Sequence, residues 1–134
     1  MPKFIGVDYG TKRIGVAISD ERGSIAFPKV TLPNDRILIP TLVDLVRKEN
    51  VTTVVIGDSR DRVGKENPLM RDVHTFAKDL EQAAAVTIRF EPEFYTSVEA
   101  RRPPTEGSGA PKKAVDAEAA AIILNSYIAR TNRP

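Results

Sequence analysis

The chain has 134 residues, 41% of them apolar, and no cysteine, which suffices for one ordinary core and is too short for two. Two-lobed enzymes, disulfide frameworks, thiolate zinc sites and cysteine nucleophiles are thereby excluded, and any metal has to be held by oxygen. Twenty Lys and Arg against eighteen Asp and Glu leave a net charge of +2, so attraction to a polyanion must come from a local patch.

No apolar run approaches the ~18 residues needed to span a bilayer, and no apolar signal core follows a basic start. The expectation is a single cytoplasmic domain over residues 1–134. Residues 3–8 and 13–19 are short apolar runs joined by Gly10, Thr11 and Lys12, the pattern of a β-hairpin. Residues 25–32 read as a third strand, and Pro28 makes it an edge or bulged one. Residues 35–48 carry Leu38, Leu42, Leu45 and Val46 at close to a 3.6 period, which predicts a helix with Pro40 in its first turns.

Residues 51–56 are continuously apolar or β-branched, as in a strand buried on both faces. Residues 67–80 give a second helix with Pro68 in its first turn and Leu69, Val73, Phe76 and Leu80 on one stripe. Residues 85–90 supply a fifth strand, and 95–101 a short helix. Residues 102–111, rich in Pro, Gly and Ser, predict a mobile segment. The alanine-rich stretch 115–129 closes the chain as a helix. A meander followed by β-α-β crossovers gives an α/β protein: a five-stranded mixed sheet with helices on both faces, the topology of the ribonuclease H-like fold.

Asp8 ends the first strand between Gly6 and Gly10, where small neighbours admit an anionic ligand; capping the hairpin is the alternative role. Glu91 and Glu93 follow the fifth strand on either side of Pro92, and one of them should project over the same sheet end. Asp116 is expected in the first turn of the last helix, where a carboxylate also suits the macrodipole. Three chain ends thus deliver three carboxylates to one place. Packed acids repel one another, so a lasting cluster wants divalent cations, and hard oxygen donors select Mg²⁺ or Mn²⁺. Two such ions about 4 Å apart would activate a water and stabilise the leaving 3′ oxygen of a phosphodiester. No general-base histidine is then required, and His74, the only one, reads as a mid-helix surface residue.

At Ile5-Gly6-Val7-Asp8-Tyr9-Gly10-Thr11-Lys12-Arg13-Ile14-Gly15-Val16-Ala17-Ile18-Ser19-Asp20 the chain resembles the YqgF/RuvX family of Holliday junction resolvases. The likeness continues at Thr96-Ser97-Val98-Glu99-Ala100 and at residues 115–124, beginning Val115-Asp116-Ala117. It implies a metal-dependent ribonuclease H-like nuclease acting on structured nucleic acid. The substrate would be Holliday junction DNA or, in ribosome biogenesis, the precursor of 16S rRNA. By position the family's acids correspond to Asp8, Glu93 and Asp116, with Glu91 as the alternative middle acid because Pro92-Glu93-Phe94 lacks the family's flanking acid and base. The run Gly57-Asp58-Ser59-Arg60-Asp61-Arg62 also departs from the Pro- and Gly-containing loop usual there.

Lys12, Arg13, Arg60, Arg62, Lys65, Arg101, Arg102, Lys112 and Lys113 fall in predicted loops or at element ends, mostly around the same sheet edge. As a group they suit a phosphate backbone, although each alone equally suits a solvated surface. Tyr9, Phe94 and Tyr95 adjoin the acids and could stack on an unpaired base. Two other readings compete: a non-catalytic nucleic-acid-binding or scaffolding member of the fold, and a small ATP-binding phosphotransfer domain, since Asp8-Tyr9-Gly10-Thr11 resembles the first phosphate loop of the actin and sugar-kinase ATPases. A resolvase acting on a four-way junction would be expected to work as a homodimer.

Overall fold

A computed structural model of the chain describes residues 3–58, 70–92 and 112–131, with the backbone alone described for 112–115. The elements in chain order are β1 (Lys3–Tyr9), β2 (Arg13–Ser19), β3 (Ala26–Pro33), α1 (Leu38–Glu49), β4 (Val51–Asp58), α2 (Met70–Ala84), β5 (Thr87–Pro92) and α3 (Lys112–Thr131).

One five-stranded sheet runs in the order β3-β2-β1-β4-β5. The pairs β1–β2 and β2–β3 are antiparallel, and β1–β4 and β4–β5 are parallel. This is the mixed sheet expected from the element order, with α1 and α2 on one face and α3 on the other. β3 is an edge strand, and its register to β2 shifts between Val16 and Ala17, beside Pro28. A proline has no N–H for the ladder, so edge position and bulge go together.

The α1/α2 face is the larger core. Ile5, Val7, Ile14, Val16, Val54 and Ile56 of the sheet meet Leu42 and Val46 of α1 and Val73, Phe76 and Leu80 of α2. Leu42 and Leu80 are each 1% exposed, so truncating either to alanine costs about 2–5 kcal/mol. On the opposite face α3 lays Ile123, Leu124 and Ile128 against Val55 and Ala26, while Ala120 and Ala121 lie against Ala17.

Several element ends differ from the sequence reading. α1 starts at Leu38 rather than at 35, because Asp35 folds into the preceding turn: its Oδ1 accepts from the Ile37 N–H at 3.1 Å, and its carbonyl accepts from the Leu38 N–H at 3.1 Å. β4 continues through Gly57 and Asp58, which pair with Glu91 and Pro92 of β5; the ladder thus extends past the apolar run that marked the strand. α2 runs on to Ala84 through good helix formers, and Ala84 still packs against the core. α3 begins at Lys112, so Asp116 lies beyond the first turn and is not a helix-capping residue. The predicted short helix at 95–101 and the segment 102–111 lie outside the described residues, as do Pro68 and Leu69.

Candidate active site

Asp8 stands near the carboxyl end of β1 and is 8% exposed. The face it occupies follows from Gly6: a Cβ there would sit 2.7 Å from Leu124 Cβ and 2.8 Å from the Ala120 carbonyl, so Gly6 faces α3. Side chains two residues apart share a face of a strand, which puts Asp8 on the α3 side. Across the β1–β2 ladder its partner is Gly15. A Cβ at Gly15 would overlap the backbone carbonyl of Asp116. The absent side chain on β2 lets α3 settle onto the sheet at this point, and the Asp116 backbone is therefore laid over β2 at the residue that pairs with Asp8. Ala117, Ala119, Ala120 and Ala121, all buried, keep the helix surface low enough for that approach.

Arg13, two residues before Gly15, is on the same face. Its Nε donates to Asp116 Oδ2 at 2.7 Å, with side chains 37% and 25% exposed respectively. The loop that carries it is pinned from β3: the Asn34 side-chain amide donates to the Gly10 carbonyl at 2.8 Å, and the Asn34 N–H donates to the Lys12 carbonyl at 2.9 Å. Lys12 itself is exposed. Asp8 of β1, Arg13 of β2 and Asp116 of α3 thus lie on one face of the sheet, with Lys12 in the turn next to Arg13.

The alternative middle acid is engaged elsewhere. Glu91, 4% exposed, accepts from Ser126 Oγ at 2.9 Å and from Arg130 Nη2 at 2.6 Å and Nε at 3.0 Å. This clamp ties β5 to the far half of α3. Arg130 has its pKa raised by the hydrogen bond to Glu91 and by the carboxylate's charge. Glu93 lies outside the described residues, as do Arg60, Arg62, Lys65, Arg101, Arg102, Phe94 and Tyr95. Lys112 and Lys113 form the start of α3, with only their backbone described. Among the described residues no three His, Asp or Glu side chains stand close enough together to hold a metal.

Two residues occupy unexpected places. Tyr9 shares the face of Val7 and packs its ring 5.2 Å from Phe76. It thus lines a cleft of about 220 Å³ with Asn34, Leu38 and Asp72, on the side of the sheet away from Asp8 and Asp116. Asp58 closes β4 with 8% exposure, an acid at a strand end next to β1. The same end-of-strand rule that singles out Asp8 would have found it, but the sequence reading placed it in a loop. By the alternation through Val54 and Ile56, it lies on the α1/α2 side. His74 is exposed on α2, as expected, with its ring 5.2 Å from that of Phe90.

A mixed β3-β2-β1-β4-β5 sheet, with α1 and α2 on one face and α3 on the other, is the ribonuclease H-like fold. The profile of the RuvX family, described as Holliday junction resolvase, matches residues 2–130. The chain belongs to that family, a family of nucleases. It is 42% identical over 127 residues to a pre-16S rRNA nuclease of Frankia casuarinae, covering 90% of this chain and 63% of that protein. It thus spans less than two thirds of that relative's length. A pre-16S rRNA nuclease of Maridesulfovibrio salexigens is 34% identical over 133 residues, covering 96% of this chain and 98% of that one. Among solved structures, RuvC of Thermus thermophilus in complex with a Holliday junction substrate superposes with a TM-score of 0.60 at 13% identity, covering 98% and 97% of the two chains. At that identity the likeness establishes the fold. Among the described residues no helix is long and apolar enough to cross a membrane.

Proposed function

We propose that the chain hydrolyses phosphodiester bonds of structured RNA, the precursor of 16S rRNA, with Asp8, Glu93 and Asp116 as its catalytic carboxylates. The observation that carries this reading is the juxtaposition of Asp8 and Asp116 on one face, separated by the bare backbone of Gly15. The names of the relatives from Frankia and Maridesulfovibrio support the substrate.

The residues present fit a divalent cation. Both donors are hard carboxylate oxygens on one face of the sheet, and neither a histidine nor a thiolate adjoins them; that donor set suits Mg²⁺ or Mn²⁺. Asp8, Asp116 and Glu93 hold the metal in this proposal. When bound as a pair, the ions supply an activated water and charge stabilisation for the leaving 3′ oxygen. The chain's own contribution is placement. Asp8 is fixed by the central strand and shielded from water, and Asp116 is held against β2 by the packing at Gly15. Lys12 supplies an exposed cation for the phosphate backbone, which positions the substrate without reading its sequence. The remaining predicted cations, Arg60, Arg62, Lys65, Arg101, Arg102, Lys112 and Lys113, extend that contact in the proposal, and a single domain acting on RNA needs no dimer.

The test is cleavage of a precursor 16S rRNA fragment and of a four-way DNA junction, with Mg²⁺ or Mn²⁺, by the wild-type chain and by Asp8→Asn. Carboxylate removal at a catalytic metal site is expected to lower the rate at least about 100-fold. RNA cleavage that survives Asp8→Asn defeats the nuclease site. Cleavage of the junction alone replaces the RNA substrate with DNA and favours a homodimer.

A further inference from the structure

We infer that Arg13 is the resident counter-ion of Asp116, that a divalent cation must displace it, and that the guanidinium so released becomes a phosphate contact for the substrate. This rests on the carboxylate cation site proposed above. It goes beyond that site in giving Arg13 two successive partners.

The argument begins with charge. Gly15 lets the Asp116 backbone settle over β2 on the face that carries the nearly buried Asp8, and like charges gathered on one face attract a cation. The cation that meets Asp116 is Arg13, whose Nε reaches Asp116 Oδ2 at 2.7 Å. The bond is made through Nε, the guanidinium nitrogen nearest the chain, so the carboxylate meets the side of the group. Both side chains keep solvent access, at 37% and 25%. A pair with that exposure is weak enough to be exchanged, because water rehydrates both ions as they part.

A divalent ion between Asp8 and Asp116 would meet Arg13 as a like charge at close range. Besides Asp116, among the described residues the arginine is held by its backbone, at the first residue of β2, and its long side chain can swing off α3 toward solvent. The turn just before it carries the exposed Lys12 and is held by Asn34, so the swing does not require the loop to move. The arginine then lies at the rim of the site, beside Lys12, with its planar fork available. Guanidinium is suited to bidentate contact with phosphate. Cation binding and substrate binding are thereby coupled through one side chain, each favouring the other.

The experiment titrates Mn²⁺ into the full chain without nucleic acid and follows free Mn²⁺ by electron paramagnetic resonance. It uses wild type, Arg13→Gln, Arg13→Lys, Asp8→Asn and Asp116→Asn, each checked for an unchanged thermal midpoint. Removing the competitor should tighten Mn²⁺ binding by about fivefold in Arg13→Gln, with Arg13→Lys intermediate. Asp8→Asn and Asp116→Asn should weaken it at least about tenfold. A second readout is the salt dependence of RNA binding with and without Ca²⁺. One added phosphate contact should steepen the wild-type slope by about 0.7–0.9 when Ca²⁺ is present, and Arg13→Gln should show no such change.

Mn²⁺ binding that is equal or weaker in Arg13→Gln, while both aspartate variants lose affinity, overturns the exchange and leaves the carboxylate site standing. A wild-type salt slope indifferent to Ca²⁺ overturns the phosphate role. Aspartate variants that titrate like wild type remove the cation site itself, and the exchange falls with it.

Discussion

A side chain at Gly15 would collide with the backbone carbonyl of Asp116. The two residues are distant in sequence, and their contact decides how close the last helix comes to the sheet and hence where its aspartate stands.

Gly15→Ala therefore forces backbone apart at the candidate site. Overpacking of this kind costs about 1–3 kcal/mol, and overlap with a carbonyl rather than a flexible side chain puts the cost at the top of that range. The thermal midpoint should fall by about 10 °C, and Mn²⁺ affinity should fall with it. A variant with the wild-type midpoint and affinity would show that α3 does not depend on this contact.

Glu91 is the next target. Its buried carboxylate accepts hydrogen bonds from Ser126 and Arg130, and Glu91→Gln would turn part of that acceptor set into a donor facing donors. Arg130 is 57% exposed, so water recovers much of what its guanidinium loses, and the expected cost is about 1–2 kcal/mol. Scanning fluorimetry should register this as a midpoint lowered by about 5 °C. A neutral result would mean that the clamp adds nothing to holding β5 against α3.

Lys3 and Glu49 make a pH-dependent pair, with Nζ to Oε1 at 2.8 Å. The hydrogen bond from Lys3 holds the Glu49 carboxyl below its ordinary range, and the same bond raises Lys3. A depressed carboxylate stabilises the fold above its unfolded pKa and loses that contribution as pH falls through the folded one; a raised lysine loses its contribution as pH rises through the folded value. The midpoint difference between wild type and Glu49→Gln should thus be widest near neutrality and vanish in acid, as pH falls through the lowered folded value of Glu49. Asp20, held down by hydrogen bonds from the Ser24 side chain and backbone, acts in the same direction on the acid side. A difference independent of pH would remove the pair from the account.

The β3 edge leaves Phe27 51%, Ile25 47% and Val30 37% exposed, and an open edge with apolar side chains invites edge-to-edge pairing. Phe27→Glu should reduce light scattering on heating while shifting the midpoint by less than about 2 °C. Unchanged scattering would place self-association on some other surface.

Much of this was legible in the linear pattern. The two hairpin runs, the edge strand marked by Pro28 and the buried run beginning at Val51 appear where periodicity and turn chemistry put them, because each depends on neighbours within a few residues. Asp8 was legible for the same reason, as an acid closing an apolar run among glycines. The ends of β4 and α1 were not. Asp58 belongs to a strand because β5 pairs with it, and Asp35 leaves the helix because its side chain caps a turn; neither effect is visible as a period. Tyr9 adjoins Asp8 in sequence, yet strand alternation turns it to Phe76 on the other side of the sheet.

The sequence by itself determined the order of strands and helices, the sheet class and the acids that could matter, since local propensity and hydrophobic alternation are properties of short stretches of chain. Only the tertiary structure decided which acids share a face of the sheet. Asp116 comes down onto Gly15 of β2, the partner of Asp8, because Gly15 has no side chain to keep α3 away, Arg13 comes to Asp116 because both lie on that face, and Glu91 is taken by Ser126 and Arg130. Each is a contact between residues far apart in the chain, fixed by close packing, which no local pattern encodes.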